Sequence, residues 1–470
     1  MHTYENPLIT RYASKQMGEL FSAYHRALIF RKLWLALAKA EKQLGLDITD
    51  NQIKDLEVNL TNIDFAAIEK SESELKHDVM AHIHAYGEVA KLANAIIHLG
   101  ATSCYVTDNA DLVIYKDALL NIKELVVYLL KVMGEFADKY KAQPILGYTH
   151  YQAAQLTTVG KRMTLYMQEM ISNLNEIDFA LSNIKFLGCR GATGTEASFM
   201  ELFNGDEKKI DLMNKTIAKE FGFDELFDVS GQTYPRNVDV RILNALSSIA
   251  QTSYRFATDI RLLEHDHFIE EAFGEKQVGS SAMAYKRNPI YSERVCSLSR
   301  YLIVNALNGA LTYSTQWFER TLDDSAIRRI SLPEAFLGIE AVMRLLIKVV
   351  SSLQVNKEII DKAVKEYLPF IATENIMMAA AKKGGDRQEL HEIIRQCSLK
   401  ASENIKSGKK SNLINILLSH PQLKLDKDEI SKILSPKKYV GRAVSQTKSF
   451  LKKHRQLYQN AKPFAVDIKN

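Results

Sequence analysis

Between Gly279 and Ile290 the chain reads GSSAMAYKRNPI. Small residues and two hydroxyls come first, then Lys286, Arg287 and Asn288 crowd together ahead of Pro289. Glycine and serine suit a pliable loop, and cations beside an amide suit an oxygen anion. A loop both pliable and cationic, with two hydroxyls just upstream, is unexpected in a chain that otherwise reads as helix. Four other stretches carry reactive side chains. KHDVMAHIHAYG, from Lys76 to Gly87, holds His77, His82 and His84. It lacks the i, i+4 histidine pair that clasps a metal on one helix face, so no metal centre is expected there. HLGATSCYVTDN, from His98 to Asn109, reads as a Gly-Ala-Thr-Ser turn entering a helix, with Thr107 or Asp108 as its cap. Thr102 and Ser103 beside free helix N–H groups suit a carboxylate or phosphate, and suit a plain polar turn equally well. GYTHYQAAQLTTVGKR places His150 just ahead of a long apolar repeat, where a lone histidine is more often structural. FERTLDDSAIRR sets Arg320, Arg328 and Arg329 around Ser325. That is either an exposed charged turn or a phosphate clamp, since guanidinium forks match phosphate oxygens.

These residues need elements to hold them, and the dominant signal is helical. Leu112, Tyr115, Leu119, Ile122, Val126, Leu129, Met133 and Phe136 recur at alternating spacings of three and four. Pro144 is expected to end that helix. A second stripe runs from Ala153 and Leu156 through Met163, Met167 and Met170 to Ile184. A helix that long spans about 48 Å and calls for near-parallel neighbours. A third helix is expected after Pro235 with Val238, Ile242, Ala245, Ile249 and Phe256 on one face. A fourth follows Pro289 toward Trp317. No sustained period-two segment and no Asn-Gly or Asp-Gly hairpin turn between strands is evident. The fold class is therefore all-α, with expected units at residues 1–106, 107–352 and 353–470. The lysines of the last unit read as solvated helix faces.

Composition narrows the class further. A 46% hydrophobic share with 25% charged residues fits a soluble globular protein, and only 9 Pro and 21 Gly in 470 residues favour long uninterrupted elements. Four widely separated cysteines suggest neither a zinc ribbon nor a disulfide framework, so reduced thiols and a cytoplasmic location are expected. MHTYENPLIT has no apolar core of a signal peptide and no run of 18 apolar residues occurs, which argues against secretion and membrane spanning. The net charge of +5 draws in anions without arguing for nucleic acid.

Taken together, the motifs change the odds. GSSAMAYKRNP resembles the signature loop of the fumarase/aspartase superfamily, and its Tyr-Lys-Arg-Asn-Pro ending resembles the adenylosuccinate lyase branch. RYAS at Arg11, KHDVMAHIH, HLGATSCYVTDN, THYQAAQLTTVGKR, GQTY at Gly231 and WFERTLDDSA at Trp317 look like that branch too, in the form found in animals. The resemblance implies three mainly helical domains whose central helices form a twenty-helix core in a homotetramer, with active sites shared between subunits and no cofactor. It implies elimination of fumarate from adenylosuccinate, giving AMP, and from SAICAR, the succinylated imidazole carboxamide ribotide, giving AICAR. It further implies Ser280 as general base, His150 as general acid, and Lys286 with Asn288 holding the carboxylate that gathers charge. Arg11, Tyr12, Lys76, His77 and Asp78 are then expected at the nucleotide. Thr102, Ser103, Thr149 and Gln232 are expected at the succinyl part, Arg294 lining the site, and Arg320, Ser325 and Arg329 around the phosphate. Arg328 has no role that the resemblance supplies.

Two positions depart from the family pattern: Ala284 stands where proline is usual, and Lys76 where the animal enzymes carry arginine. The first implies a looser loop, the second the loss of a bidentate contact. Two rival readings share the fold. An argininosuccinate lyase would carry Gln-Lys-Lys-Asn where this chain has Tyr-Lys-Arg-Asn. A structural protein reusing the fold would have no need of Ser280, His150 and Lys286.

Overall fold

The structure is a computed structural model and describes residues 3–274, 277–279 and 281–464. Its centre is a bundle of five long helices: Ser103–Lys139, Val159–Ser182, Asn237–His265, Ile290–Ser314 and Asp324–Ser352. They are called the first to fifth bundle helices below. The stripe from Leu112 to Phe136 is buried along its whole length, as are Met163, Met167 and Met170 and the Val238–Phe256 face. Burying such stripes against one another is what makes long helices stable in water. Phe336 stacks on Tyr115 at 5.9 Å and on Phe21 at 5.5 Å, joining the fifth helix to the first and to the N-terminal region.

The first helix begins earlier than the apolar stripe suggests. It starts at Ser103, with Thr102 in the cap position, so Thr107 and Asp108 lie inside it and cap nothing. The 106/107 boundary therefore falls within its first turn. The helix also stops at Lys139, ahead of Pro144, which opens a strand instead. Strands Pro144–Thr149 and Gln152–Thr158 pair antiparallel, placing Ala153 and Leu156 in a hairpin and not in the second helix. Two features hid this hairpin. A register shift between Leu146 and Tyr148 breaks the alternation, and the turn is made by His150 and Tyr151, with φ of 52° and 57°, in place of Asn-Gly. Thr158 then caps the second helix by accepting from the Lys161 N–H at 3.1 Å.

Helices Ala23–Gln43, Asp50–Val58, Phe65–Leu75 and Asp78–Val89 pack around the start of the first bundle helix. Tyr105 donates to the Leu33 carbonyl at 2.7 Å, and Arg26 pairs with Asp111 at 2.6 Å. Beyond Ser352, shorter helices enclose a second small core of Ile376, Leu390, Leu413 and Leu417. The last helix, Ala443–Tyr458, returns to the bundle, where Tyr458 lies over Gly134 so closely that an added Cβ would sit 3.2 Å from its ring.

The 37-residue first helix spans roughly 55 Å. Its Ser103 end and the hairpin that follows Lys139 therefore stand at opposite ends of the bundle. The third helix starts at the Ser103 end and finishes at the hairpin end; the fourth runs back, and the fifth returns. Lys348 near the end of the fifth reaches Tyr291 at the start of the fourth at 2.8 Å, which places the 279–290 loop at the hairpin end.

Candidate active site

A cleft of about 800 Å³ opens where the N-terminal helices meet the Ser103 end of the bundle. Lys76, His77 and Asp78 line one wall, Ser103 and Gln232 the base, and Arg320, Ser325 and Arg329 the other wall. Each is set by a local device. Lys76 ends a helix in the left-handed region at φ 52°, and His77 caps the next helix by accepting from the Met80 N–H through Nδ1. The bond at Nδ1 leaves Nε2 to carry the proton. Asp78 accepts from Arg329 at 2.9 Å across the cleft. Ser103 opens the first bundle helix and lines the cleft; Thr102 makes no side-chain cap there, and its carbonyl accepts from the Tyr105 N–H at 2.8 Å. Gln232 is clamped from behind: its N–H donates to the Glu319 carbonyl at 3.0 Å, and Gly231 packs so closely on Glu319 that a Cβ would lie 2.6 Å from that oxygen.

The cleft floor is a buried lattice of charge. Arg236 donates to Asp108 at 2.9 Å and to Asp324 at 2.7 Å. Asp324 also accepts both contacts of Arg320, at 2.9 and 3.0 Å. Arg328 donates to Asp239 at 2.6 Å, to Asp111 at 3.0 Å and to the Tyr234 hydroxyl, while Arg26 takes the other oxygen of Asp111. Tyr234 links the two halves, donating its N–H to Asp108 and its hydroxyl to Asp239. Four arginines thus match four aspartates, as buried charge requires. Despite burial, the Asp111 carboxyl is held below the usual carboxylate range by Arg26 and Arg328. Cys104, 3.4 Å from Gln232, has its thiol pushed up to about 12 by burial and by Asp108, so it is an inert neighbour and no nucleophile.

This lattice is what sequence reasoning missed. Arg328 is no exposed member of a clamp but its buried keystone, and Arg320 already has Asp324 as partner. Arg329, more than half exposed, lines the cleft and meets Asp78 there. A signal was present: two aspartates three apart, Asp108 and Asp111, on the apolar face of a helix, which demand cationic partners.

The remaining expected residues lie elsewhere in the chain. Thr149 and His150 sit at the hairpin tip, and Arg162 holds the hairpin by donating to the Leu146 carbonyl at 2.6 Å. Both are exposed. Lys286 is exposed in the 279–290 loop; Asn288 donates to the Gly279 carbonyl at 2.8 Å. Gly279 itself is obligatory, because a Cβ would fall 1.8 Å from the Lys286 carbonyl. Arg294 stands in the first turns of the fourth helix, with its guanidinium 5.8 Å from the Tyr291 ring. Ser280 lies outside the described residues. Arg11 and Tyr12 belong to a short helix, Leu8–Tyr12, alongside the fifth bundle helix, where the Ser14 N–H meets Glu340 at 2.9 Å; they do not line the cleft. One chain thus brings together Lys76, His77, Asp78, Ser103, Gln232, Arg320, Ser325 and Arg329, and holds Thr149, His150, Lys286, Asn288 and Arg294 at the far end.

Among the described residues, no helix is long and apolar enough to cross a membrane. The family model described as Lyase matches residues 13–302, and that described as Adenylosuccinate lyase C-terminus matches residues 369–450. The chain is 47% identical to the adenylosuccinate lyase of Schizosaccharomyces pombe, over 96% of this chain and 94% of that one. It is 46% identical to that of Saccharomyces cerevisiae over the same shares, and 42% identical to that of Schistosoma mansoni over 95% and 94%. The likeness therefore runs through fungi as well as animals. Among solved structures, a 3-carboxy-cis,cis-muconate lactonizing enzyme from Pseudomonas putida superposes with a TM-score of 0.84 at 20% identity, covering 96% of this chain and all of that one. A fumarate lyase from Mesorhizobium superposes with a TM-score of 0.80 at 19% identity, over 96% and 99%. At those identities the agreement speaks for the helical fold alone.

Proposed function

The chain belongs to the adenylosuccinate lyases, and from that premise we propose how it carries out the family's reaction in purine nucleotide synthesis. Adenylosuccinate loses fumarate to give AMP, and the same cleft takes SAICAR to give AICAR. The observation that carries the reading is the cleft itself. It combines the Arg329 guanidinium, the Ser325 hydroxyl and Lys76 with the N-terminus of a 37-residue helix at Ser103. Those groups suit a phosphate and a carboxylate on one ligand.

In the proposed reaction a base removes the proton from the carbon beside a succinyl carboxylate. The electron pair gathers on that carboxylate, then expels the purine amino nitrogen, which takes a proton as the C–N bond breaks. Ser280 is the proposed base and His150 the proposed acid. Lys286 and Asn288 hold the charged carboxylate, and Lys286 with neighbouring N–H groups lowers the pKa of the serine hydroxyl. The hairpin supports the role given to His150 by presenting it exposed at its tip.

The cleft and the His150–Lys286 set stand at opposite ends of a bundle roughly 55 Å long, too far apart for one substrate. We therefore place each active site between copies, with the cleft from one subunit and the hairpin and loop from others. Four copies of five bundle helices supply the twenty-helix core. The fourth bundle helix supports that arrangement, because Tyr301, Val304, Leu307 and Leu311 form an exposed apolar stripe along it. We place the enzyme in the cytoplasm.

Incubation of the purified protein with adenylosuccinate, followed by purine absorbance and fumarate release, tests the reading. Turnover of adenylosuccinate supports it. Inertness toward it beside turnover of argininosuccinate would overturn it, as would inertness toward both.

A further inference from the structure

The 272–289 segment, which carries Lys286 and Asn288, is pinned at its neck by a carboxylate that no step above uses. Glu271 stands just ahead of it and is 8% exposed. One of its oxygens accepts from the Ser292 N–H at 2.7 Å, the other from the Tyr291 N–H at 3.1 Å. Those N–H groups belong to the first turn of the fourth bundle helix, where the helix itself offers them no acceptor. The Glu271 N–H in turn donates to Glu264, near the end of the third helix, at 3.0 Å. Immediately before Glu271, the pair Ile269–Glu270 is held in a short sheet with Gln354–Val355 after the fifth helix. Backbone at residue 271 is thus anchored on the third and fifth helices, and its side chain fixes where the fourth begins.

Four contacts among the described residues of the segment are of another kind. Asn288 to Gly279, Gly274 with Gln277, the Lys286 N–H to the Met283 carbonyl, and Arg287 5.4 Å from the Phe273 ring all join intermediate or exposed residues. The neck is dry and made by a charge on backbone donors, and such bonds are the strong ones. A carboxylate at a helix N-terminus also opposes the helix dipole favourably. Burial still pushes the Glu271 carboxyl above its ordinary range, with the Ser292 and Tyr291 bonds pulling it back. Its two bonds join the neck of the segment to the start of the fourth helix.

We propose that Glu271 is a positioning residue for the elimination: through the first turn of the fourth bundle helix it sets where Lys286 and Asn288 stand. It touches no substrate. The inference rests on the lyase reading given above, and it locates the control of the step in the neck of the loop and not in the cleft. Loosening this neck therefore impairs chemistry while leaving nucleotide capture, made at the other end of the chain, nearly intact.

Glu271→Gln keeps the shape but replaces one acceptor oxygen by an amide that cannot accept an N–H. Glu271→Asp keeps the charge but is one methylene short of spanning both donors. With adenylosuccinate, the Gln variant is expected to lose at least tenfold in kcat with KM changed less than threefold, with subunit assembly kept and a Tm that, though lowered, stays well above the assay temperature. The Asp variant should fall between it and the parent. Brief trypsin treatment should cut the Gln variant faster within the 272–289 segment, Lys286 and Arg287 included, with sites elsewhere in the chain unaffected. Parental kcat in both variants would overturn the proposal, as would a loss that tracks Tm or KM. Should the Gln variant not fold, the Asp variant decides by the same criteria. An inactive parent protein would count against the lyase reading instead, so the two failures are distinguishable.

Discussion

Arg328 donates through Nε to Asp239 at 2.6 Å, a bond from the fifth bundle helix to the third made where both side chains are buried. The same guanidinium reaches Asp111 on the first helix. One side chain therefore ties three helices at the floor of the cleft. Its neighbours Ser325 and Arg329 line the cleft because this turn of the helix cannot rotate.

Arg328→Ala strands Asp111 and Asp239 with less cationic partnership in a dry site. Breaking a buried pair from one side typically costs about 3–5 kcal/mol. Urea unfolding at fixed protein concentration should show a loss of that size. Arg328→Lys should recover less than half of it, since an ammonium cannot serve both aspartates along a planar fork.

Arg329→Ala should behave in the opposite way. Arg329 is largely exposed, and such pairs contribute about 0–1 kcal/mol to stability. Tm should hold, while KM for adenylosuccinate rises at least tenfold and kcat changes little. The parent's KM should also climb with salt, because the missing attraction is a charge on phosphate. An unchanged KM would put the phosphate elsewhere.

Ser280→Ala and His150→Ala are each expected to lower kcat by about 10²–10⁴, the usual scale of a proton-transfer group, with assembly preserved. Mixing and reassembling His150→Ala with Arg329→Ala should then restore activity at low substrate, where each alone is poor. Mixed assemblies contain sites that take the hairpin from one variant and the cleft from the other. No recovery in assemblies shown to be mixed would count against shared sites.

Glu41 yields a stability prediction independent of catalysis. It is fully buried, neither carboxyl oxygen has a hydrogen-bond partner among the described residues, and burial raises its pKa to about 9. A folded carboxyl raised above its unfolded value keeps its proton while the unfolded chain releases one. Stability is therefore greatest below the unfolded pKa and falls as pH climbs from there toward about 9. Glu41→Gln removes that titration with little change in shape. Its Tm advantage over the parent should be small at pH 5 and grow steadily to pH 8. A constant difference across that range would refute the assignment.

The sequence by itself determined the bundle and its chemistry. Stripes such as Leu112–Phe136 and Val238–Phe256 read as buried helix faces because their spacing of three and four is sustained over many turns, whereas at Ala153 and Leu156 the same spacing belongs to a strand. The motif order identified the family and made Lys76, His77, Ser103 and Arg329 expected site residues, which the fold gathers along one cleft. The structure decided three things that local pattern does not carry. The His150 hairpin depends on a register shift and two left-handed residues that need the rest of the sheet to hold them. The charge lattice of Asp108, Asp111, Tyr234, Arg236, Asp239, Asp324 and Arg328 joins positions more than 200 residues apart, which only packed helices bring within hydrogen-bond reach. The separation of the cleft from the hairpin and loop follows from helix length, and it sets the expected site residues in two groups at opposite ends of one chain.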